Sequence, residues 1–230
     1  MKRKISTLLG FLLIVGILFL CIDGWCFAKP FYAREYGKLG TAAEIGITED
    51  ELNGATDALL DYLKDRRDDL VTYAKIDGSE REVFDEREKL HMVDVKNLYL
   101  AAEKLAYIGT AVSVVGYGIL VYFSRKDLLP VLKGYRDSNV ILLVLAAAIG
   151  VYAAMDFDTF WINFHLLFFT NDLWLLDPSC EILIQMVPEQ FFMDLVIGIA
   201  ATFVFAAAAI LIFSIYLEKK IKKNGTETNG

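Results

Sequence analysis

The sequence predicts an all-α integral membrane protein, a four-helix bundle carrying a small helical extracytoplasmic domain. Three observations lead there. Of the 230 residues, 56% are hydrophobic, more than an ordinary soluble domain carries. The apolar residues gather in four blocks. The start, the short middle connection and the tail are basic, whereas 156–194 has no Lys or Arg, the asymmetry that orients membrane helices. The long first connection carries 11 basic residues, but long loops translocate largely regardless of charge.

In chain order, Ile5–Ile22 carries no charge and follows Lys2, Arg3 and Lys4, which predicts a first transmembrane helix over 1–22. It reads as retained, because the run is long for a signal sequence and Leu18-Phe19-Leu20-Cys21 lacks the small residue expected before a lipoprotein cleavage site. Residues 23–103 form a first outer domain, too long to be plain linker. Within it Thr48-Glu49-Asp50-Glu51 is a capping-box sequence. Leu52, Ala55, Leu59, Leu63 and Leu70 follow at helical spacing, predicting an amphipathic helix over about 49–73. Its polar face holds Asp57, Asp61, Lys64, Asp65, Arg67 and Asp68. Ile76-Asp77-Gly78-Ser79 reads as a turn. The uncharged Leu105–Phe123 predicts a second span over 104–123, and the basic segment 124–139 (Arg125, Lys126, Lys133, Arg136) a cytoplasmic loop. Val140–Met155 predicts a third span and runs on into an aromatic-rich outer loop over 156–190. Phe191–Leu217, with Asp194 as its one charge, predicts a fourth span over 191–217, followed by a basic tail over 218–230.

A spanning helix needs about 17–25 mostly apolar residues, which each block meets, the third with a few interfacial residues. The basic start, middle loop and tail then share one side, the cytoplasmic one. The protein is expected to be multi-pass in the plasma membrane with both termini inside. Of the 30 acidic residues, 26 fall in 23–103 and 156–194, the outer loops together with Asp194 near the start of the fourth span. The basic residues flank the membrane and form no recognition surface, so membrane lipids are expected as partners and nucleic acid is not. Three cysteines make no disulfide framework. Cys26 and Cys180 both fall outside and can pair, although free thiols are the default.

Only two histidines occur, and this topology puts both on the outer side. His91 precedes the second span in Arg87-Glu88-Lys89-Leu90-His91-Met92-Val93-Asp94. His165 follows the third in Asp158-Thr159-Phe160-Trp161-Ile162-Asn163-Phe164-His165. Imidazole is the side chain suited to proton transfer near neutral pH, so two at one water–lipid boundary point to acid–base chemistry on a lipid-borne substrate. Asp94 either caps the second span or shares a helix face with His91, where a carboxylate can orient one ring nitrogen. Asp158, Trp161 and Phe168 fall on the His165 face of a helix. The blander reading makes His91 an interfacial residue and the aromatic residues an ordinary membrane belt, which leaves His165, Asn163 and Asn171 unexplained. The chain has no His-Glu-x-x-His, phosphate loop, dinucleotide fingerprint or Gly-x-Ser-x-Gly elbow. No cofactor or metal is expected, and an acyl transfer here needs no acyl-serine.

The segments Glu88–Lys96, Phe157–Phe169, Asn171–Pro178 and Pro188–Phe192 resemble, in that order, the lipoprotein intramolecular transacylase (Lit) family, integral membrane proteins of low-GC Gram-positive bacteria. The two His-centred motifs are the specific part of the likeness. The resemblance implies an enzyme that moves the sn-2 acyl chain of a diacylglyceryl-modified bacterial lipoprotein to its N-terminal α-amine, producing the lyso-form. The expected catalytic residues are His91, as general base beside Asp94, and His165, as oxyanion stabiliser or acid, with the division reversible. Asp94 and Asp158 are expected to support them, and Asn163, Asn171 and Trp174 to position the head group. Two other readings fit the residues. One is a membrane receptor or assembly protein that binds a partner through its acidic outer domain. The other is a metal-dependent membrane hydrolase using both histidines with Asp94 or Asp158.

Overall fold

The computed structural model describes residues 1–227; the last three residues of the 218–230 tail lie outside it. The chain is helical apart from one small hairpin. Its elements are α1 (Lys2–Cys26), α2 (Lys29–Leu39), α3 (Thr41–Ile45), α4 (Glu49–Leu63), β1 (Tyr73–Ile76), β2 (Ser79–Glu82), α5 (Glu86–Ser124), α6 (Leu129–Met155), α7 (Phe157–Phe168), α8 (Ile182–Met186) and α9 (Glu189–Glu227). Four of these, α1, α5, α6 and α9, are long and apolar enough to cross a membrane. At 1.5 Å per residue the 39 residues of α5 reach about 58 Å, roughly twice a hydrocarbon core of about 30 Å. The uncharged half, Leu105–Phe123, is the part that suits lipid, and the charged half bearing His91 extends beyond it.

The chain divides into two compact units. The first comprises Met1–Asp23, Glu103–Met155 and the chain from Ile197 on. Ile14, Tyr135, Phe203 and Ala207 form its buried centre. Helices meet here through small residues and interhelical hydrogen bonds, the devices that work where lipid removes the hydrophobic drive. Ser113 Oγ donates to the Leu9 carbonyl (2.7 Å), Ser6 Oγ to the Val131 carbonyl (2.6 Å), and Asn139 Nδ2 to the Ala207 carbonyl (3.2 Å). At the basic end, Arg3 pairs with Asp137 (2.6 Å) and Arg136 with Glu218 (2.9 Å).

One expectation changes in this unit. The segment 124–139 is not a loop: α6 starts at Leu129, so only a short link separates it from α5. The charges Lys133 and Arg136 have the look of a loop, but Val131, Gly134, Tyr135 and Ser138 recur every three or four residues and are buried.

The second unit comprises Gly24–Ala102 and Asp156–Val196. Phe31, Tyr32, Tyr36 and Phe191 form an aromatic cluster with ring centroids 5.1–6.0 Å apart. The capping box forms as read: Thr48 Oγ1 accepts from Glu51 N, and the Glu51 carboxylate accepts from Thr48 N. The helix that follows is shorter than expected, ending at Leu63 where Asp65 takes a left-handed conformation (φ 56°). Two acids of the expected polar face pair with other elements, Asp57 of α4 with Lys29 and Asp65, just beyond α4, with Lys96, both at 2.7 Å. The outer domain is therefore not wholly helical. Tyr73–Ile76 and Ser79–Glu82 pair antiparallel across Asp77-Gly78, both with positive φ, as a two-residue hairpin turn demands.

Candidate active site

The start of α5 is fixed by a reciprocal pair. Asp85 Oδ1 accepts from Glu88 N (2.9 Å) and Glu88 Oε2 from Asp85 N (2.6 Å), so Asp85, not Asp94, caps the helix. Asp94 is interior to it, on the same face as His91 three residues earlier. The third span ends at Met155, where Asp156 accepts from Thr159 N (3.0 Å) and starts α7 as a separate short helix.

These two helices bring the imidazoles together. The His91 and His165 ring centroids lie 6.1 Å apart with their planes 38° from one another. Both residues are buried, at 7% and 6% exposure. Phe169, in the extended chain leaving α7, touches both rings, 5.5 Å from His91 and 5.7 Å from His165. Trp174 stacks on His165 (4.8 Å, 22°), and Trp161 meets it edge-on (4.7 Å, 74°). The aromatic residues, which as a sequence look like a membrane belt, in part wall the histidine.

The two imidazoles differ in their hydrogen bonding. His165 Nδ1 lies 2.8 Å from the Trp161 carbonyl one turn back in α7. A carbonyl only accepts, so Nδ1 carries the proton and Nε2 of the neutral ring keeps its lone pair. Burial holds the His165 pKa below its ordinary value of 6.5, while the Trp161 carbonyl pulls it the other way. His91 Nδ1 is buried with no hydrogen-bond partner. This corrects the expected Asp94–His91 hydrogen bond. The Asp94 carboxylate instead accepts from Asn171 Nδ2 (2.7 Å).

The remaining candidates fall in different places. Asp158 is exposed and lies within hydrogen-bond reach of Glu189. Asn163 is exposed, and two helical steps turn it roughly 200° from His165. Asn171 and Trp174 are at the centre, with Trp174 Nε1 donating to the Asn171 carbonyl (3.0 Å). Among the described residues, no group of three or more His, Cys, Asp or Glu side chains could hold a metal ion. Among the described residues Cys21, Cys26 and Cys180 form no disulfide.

Two residues beside His91 do unexpected work. Arg87 donates to the Asp172 carbonyl. Glu88, only 1% exposed, accepts the backbone N–H of Leu183 at the start of α8. Both bind the chain that carries Trp174. Their partners lie far along the sequence, where no local pattern announces them.

Four bilayer-length helices among the described residues put the protein among integral membrane proteins. A family model described as lipoprotein intramolecular transacylase Lit matches residues 7–192. The chain belongs to that family, and is thus an acyltransferase with a lipoprotein substrate. Among solved structures, the fold is shared with the membrane integral lipoprotein intramolecular transacylase Lit from Bacillus cereus, solved in meso. The TM-score is 0.78 at 24% identity, covering 97% of this chain and 98% of that one. A variant of the Bacillus cereus protein with one histidine replaced by alanine gives 0.77 at 25% identity, covering 97% and 96%. A histidine-to-arginine variant gives 0.74 at 24%, covering 99% and 95%. No curated protein sequence gives a significant match.

Proposed function

We propose that the protein moves the sn-2 acyl chain of a diacylglyceryl-cysteine lipoprotein to the free α-amine of the same molecule, using His165 and His91 as acid–base groups and forming no acyl-enzyme. The single observation behind this is the facing pair of buried imidazoles, one of them locked in a defined tautomer. On this reading the outer-face topology holds, with both termini cytoplasmic and the reacting head group at the lipid–water boundary of the plasma membrane.

Nucleophile and ester share one substrate, so no enzyme serine or cysteine has to intervene. Holding the two in a near-attack pose can supply roughly 7–11 kcal/mol through effective molarity. What remains is proton traffic. The neutral amine attacks the ester carbonyl, and the tetrahedral intermediate carries a positively charged nitrogen whose proton even a weak base can take. His165 Nε2 is that base; Asp94 gives His91 no hydrogen bond, which reverses the first assignment. The protonated His165 then gives that proton to the departing sn-2 oxygen, while His91 stabilises the oxyanion as a neutral hydrogen-bond donor. Trp174 and Phe169 hold the rings, and the Asn171–Asp94 pair borders the head group.

Incubating the purified protein with a synthetic diacylglyceryl lipopeptide, and fragmenting the product in a mass spectrometer, tests the proposal. The expected product has unchanged mass, with one chain relocated to the α-amine. Release of free fatty acid would indicate a hydrolase, and no conversion would leave a binding protein.

The pH profile tests the base. An α-amine has a pKa near 7.7–8.0, and His165 sits below its ordinary 6.5. Both groups must be neutral to react. Log kcat/KM is therefore expected to rise with a slope near one between about pH 6.5 and 7.5, from the amine alone. It steepens toward two only below the depressed His165 pKa. A slope near two already at pH 7 would be incompatible with a buried, neutral His165.

A further inference from the structure

We propose that Glu88 is a positioning residue for the reaction: its carboxylate staples the helix that bears His91 to the chain that bears Trp174, and so sets the imidazole geometry. This rests on the paired-imidazole reading above. Glu88 is a buried acid that the chemistry itself does not use. Its two oxygens serve two elements. Oε2 accepts from Asp85 N and closes the start of α5, and Oε1 accepts from Leu183 N at the start of α8. Glu88 and His91 stand three residues apart on one helix, so they share a face and move as a unit. The stapled chain runs from Phe169 to α8, and within it Phe169 touches both imidazoles and Trp174 stacks on His165. Arg87 and the Asn171–Asp94 bond tie the same chain at two further points. Both of those involve more exposed side chains, whereas Glu88 is sealed from water, its carboxyl pushed up to about 7 by burial, and meets a backbone N–H at each of its two oxygens.

The two oxygens of a carboxyl group can accept at both ends. Glutamine offers one oxygen, so Glu88→Gln must surrender one of the two N–H groups and set an amide N–H against it. Asp85→Ala serves as the control: it removes the partner of Glu88 N but leaves the Leu183 staple in place.

The test uses the purified full-length chain and two readouts. The first is tryptophan fluorescence titrated from neutral to acidic pH. An imidazolium beside an indole quenches it, and Trp161 also touches His165, so the part of the step that disappears in both His165→Ala and Trp174→Phe reports the His165–Trp174 stack independently of turnover. The second is conversion of the diacylglyceryl lipopeptide. Glu88→Gln is expected to shrink the fluorescence step by about half or more and to lower kcat on the order of tenfold to a hundredfold, the cost of a small misplacement. KM should stay within about threefold, since the lost alignment matters in the transition state. Asp85→Ala is expected to keep the step and most of the turnover. An unchanged step in Glu88→Gln, or an equal loss in Asp85→Ala, would overturn the staple. Full turnover by His165→Ala would overturn the catalytic reading instead, while a lost step in Glu88→Gln would still uphold the staple.

Discussion

Replacing His165 by alanine is expected to lower lipopeptide conversion by a factor on the order of 10²–10⁴, the usual worth of a positioned acid–base group. The protein should still insert in the membrane and purify normally. His165→Phe sharpens the result. Phenylalanine can keep the aromatic contact with Trp174, which stacks on the native ring at 4.8 Å, but has no nitrogen. The two variants should lose activity alike if proton transfer is the role, and Phe should recover much of it if packing is. His91→Ala is expected to fall in the same range. Combining His91→Ala with His165→Ala should cost little more than the worse single variant, because groups that act on one proton path are not additive. Mass-resolved conversion rates decide the matter. Turnover within about tenfold of the parent in both single variants would place the chemistry elsewhere.

The second large effect concerns stability. A Cβ added at Gly134 would meet the backbone carbonyl of Arg3 and lie 2.6 Å from Ser6 Cβ. Neither obstacle is the loose end of a flexible side chain, so α1 and α6 would have to separate. Alanine favours a helix over glycine by about 1 kcal/mol, yet overpacking costs about 1–3 kcal/mol or more. Gly134→Ala is therefore expected to destabilise. Gly150, on the same helix, has nothing within 4 Å of the corresponding position, so Gly150→Ala should gain from propensity alone. Unfolding midpoints in detergent should separate the pair, at about 2–4 °C per kcal/mol. Equal midpoints would mean that the close approach of α1 and α6 is not rigid.

The spans were legible because a long uncharged run has one physical solution in this setting, a helix that satisfies its own backbone inside lipid. The capping box at Thr48 and the hairpin at Asp77-Gly78 were legible because their signals are local. What was hidden depended on distant partners. The extent of α4 turned on the conformation of Asp65, which no periodicity encodes. The helical first part of α6 carries Lys133 and Arg136, charges that masked the buried face of Val131, Gly134 and Tyr135. Both histidines stood out in the sequence by their rarity, and α5 and α7 bring them within 6.1 Å of one another. Their surroundings did not stand out. The two carboxylates three residues from His91 both bind distant partners: Asp94 finds Asn171, 77 residues away, and Glu88 finds Leu183, 95 residues away. Trp161 was legible on the His165 face by helical spacing, whereas Phe169 read as a membrane belt until the fold turned it toward both rings.

On the proposed mechanism, the hydrogen bond from His165 Nδ1 to the Trp161 carbonyl has a consequence for the whole catalytic cycle. A ring tied to its own helix on one side has a single port, so any proton it collects must leave through the nitrogen that received it. Such a carrier suits a rearrangement in which the proton lost by nitrogen is owed to an oxygen a few ångströms away, and each turnover returns the enzyme to its starting state without help from solvent.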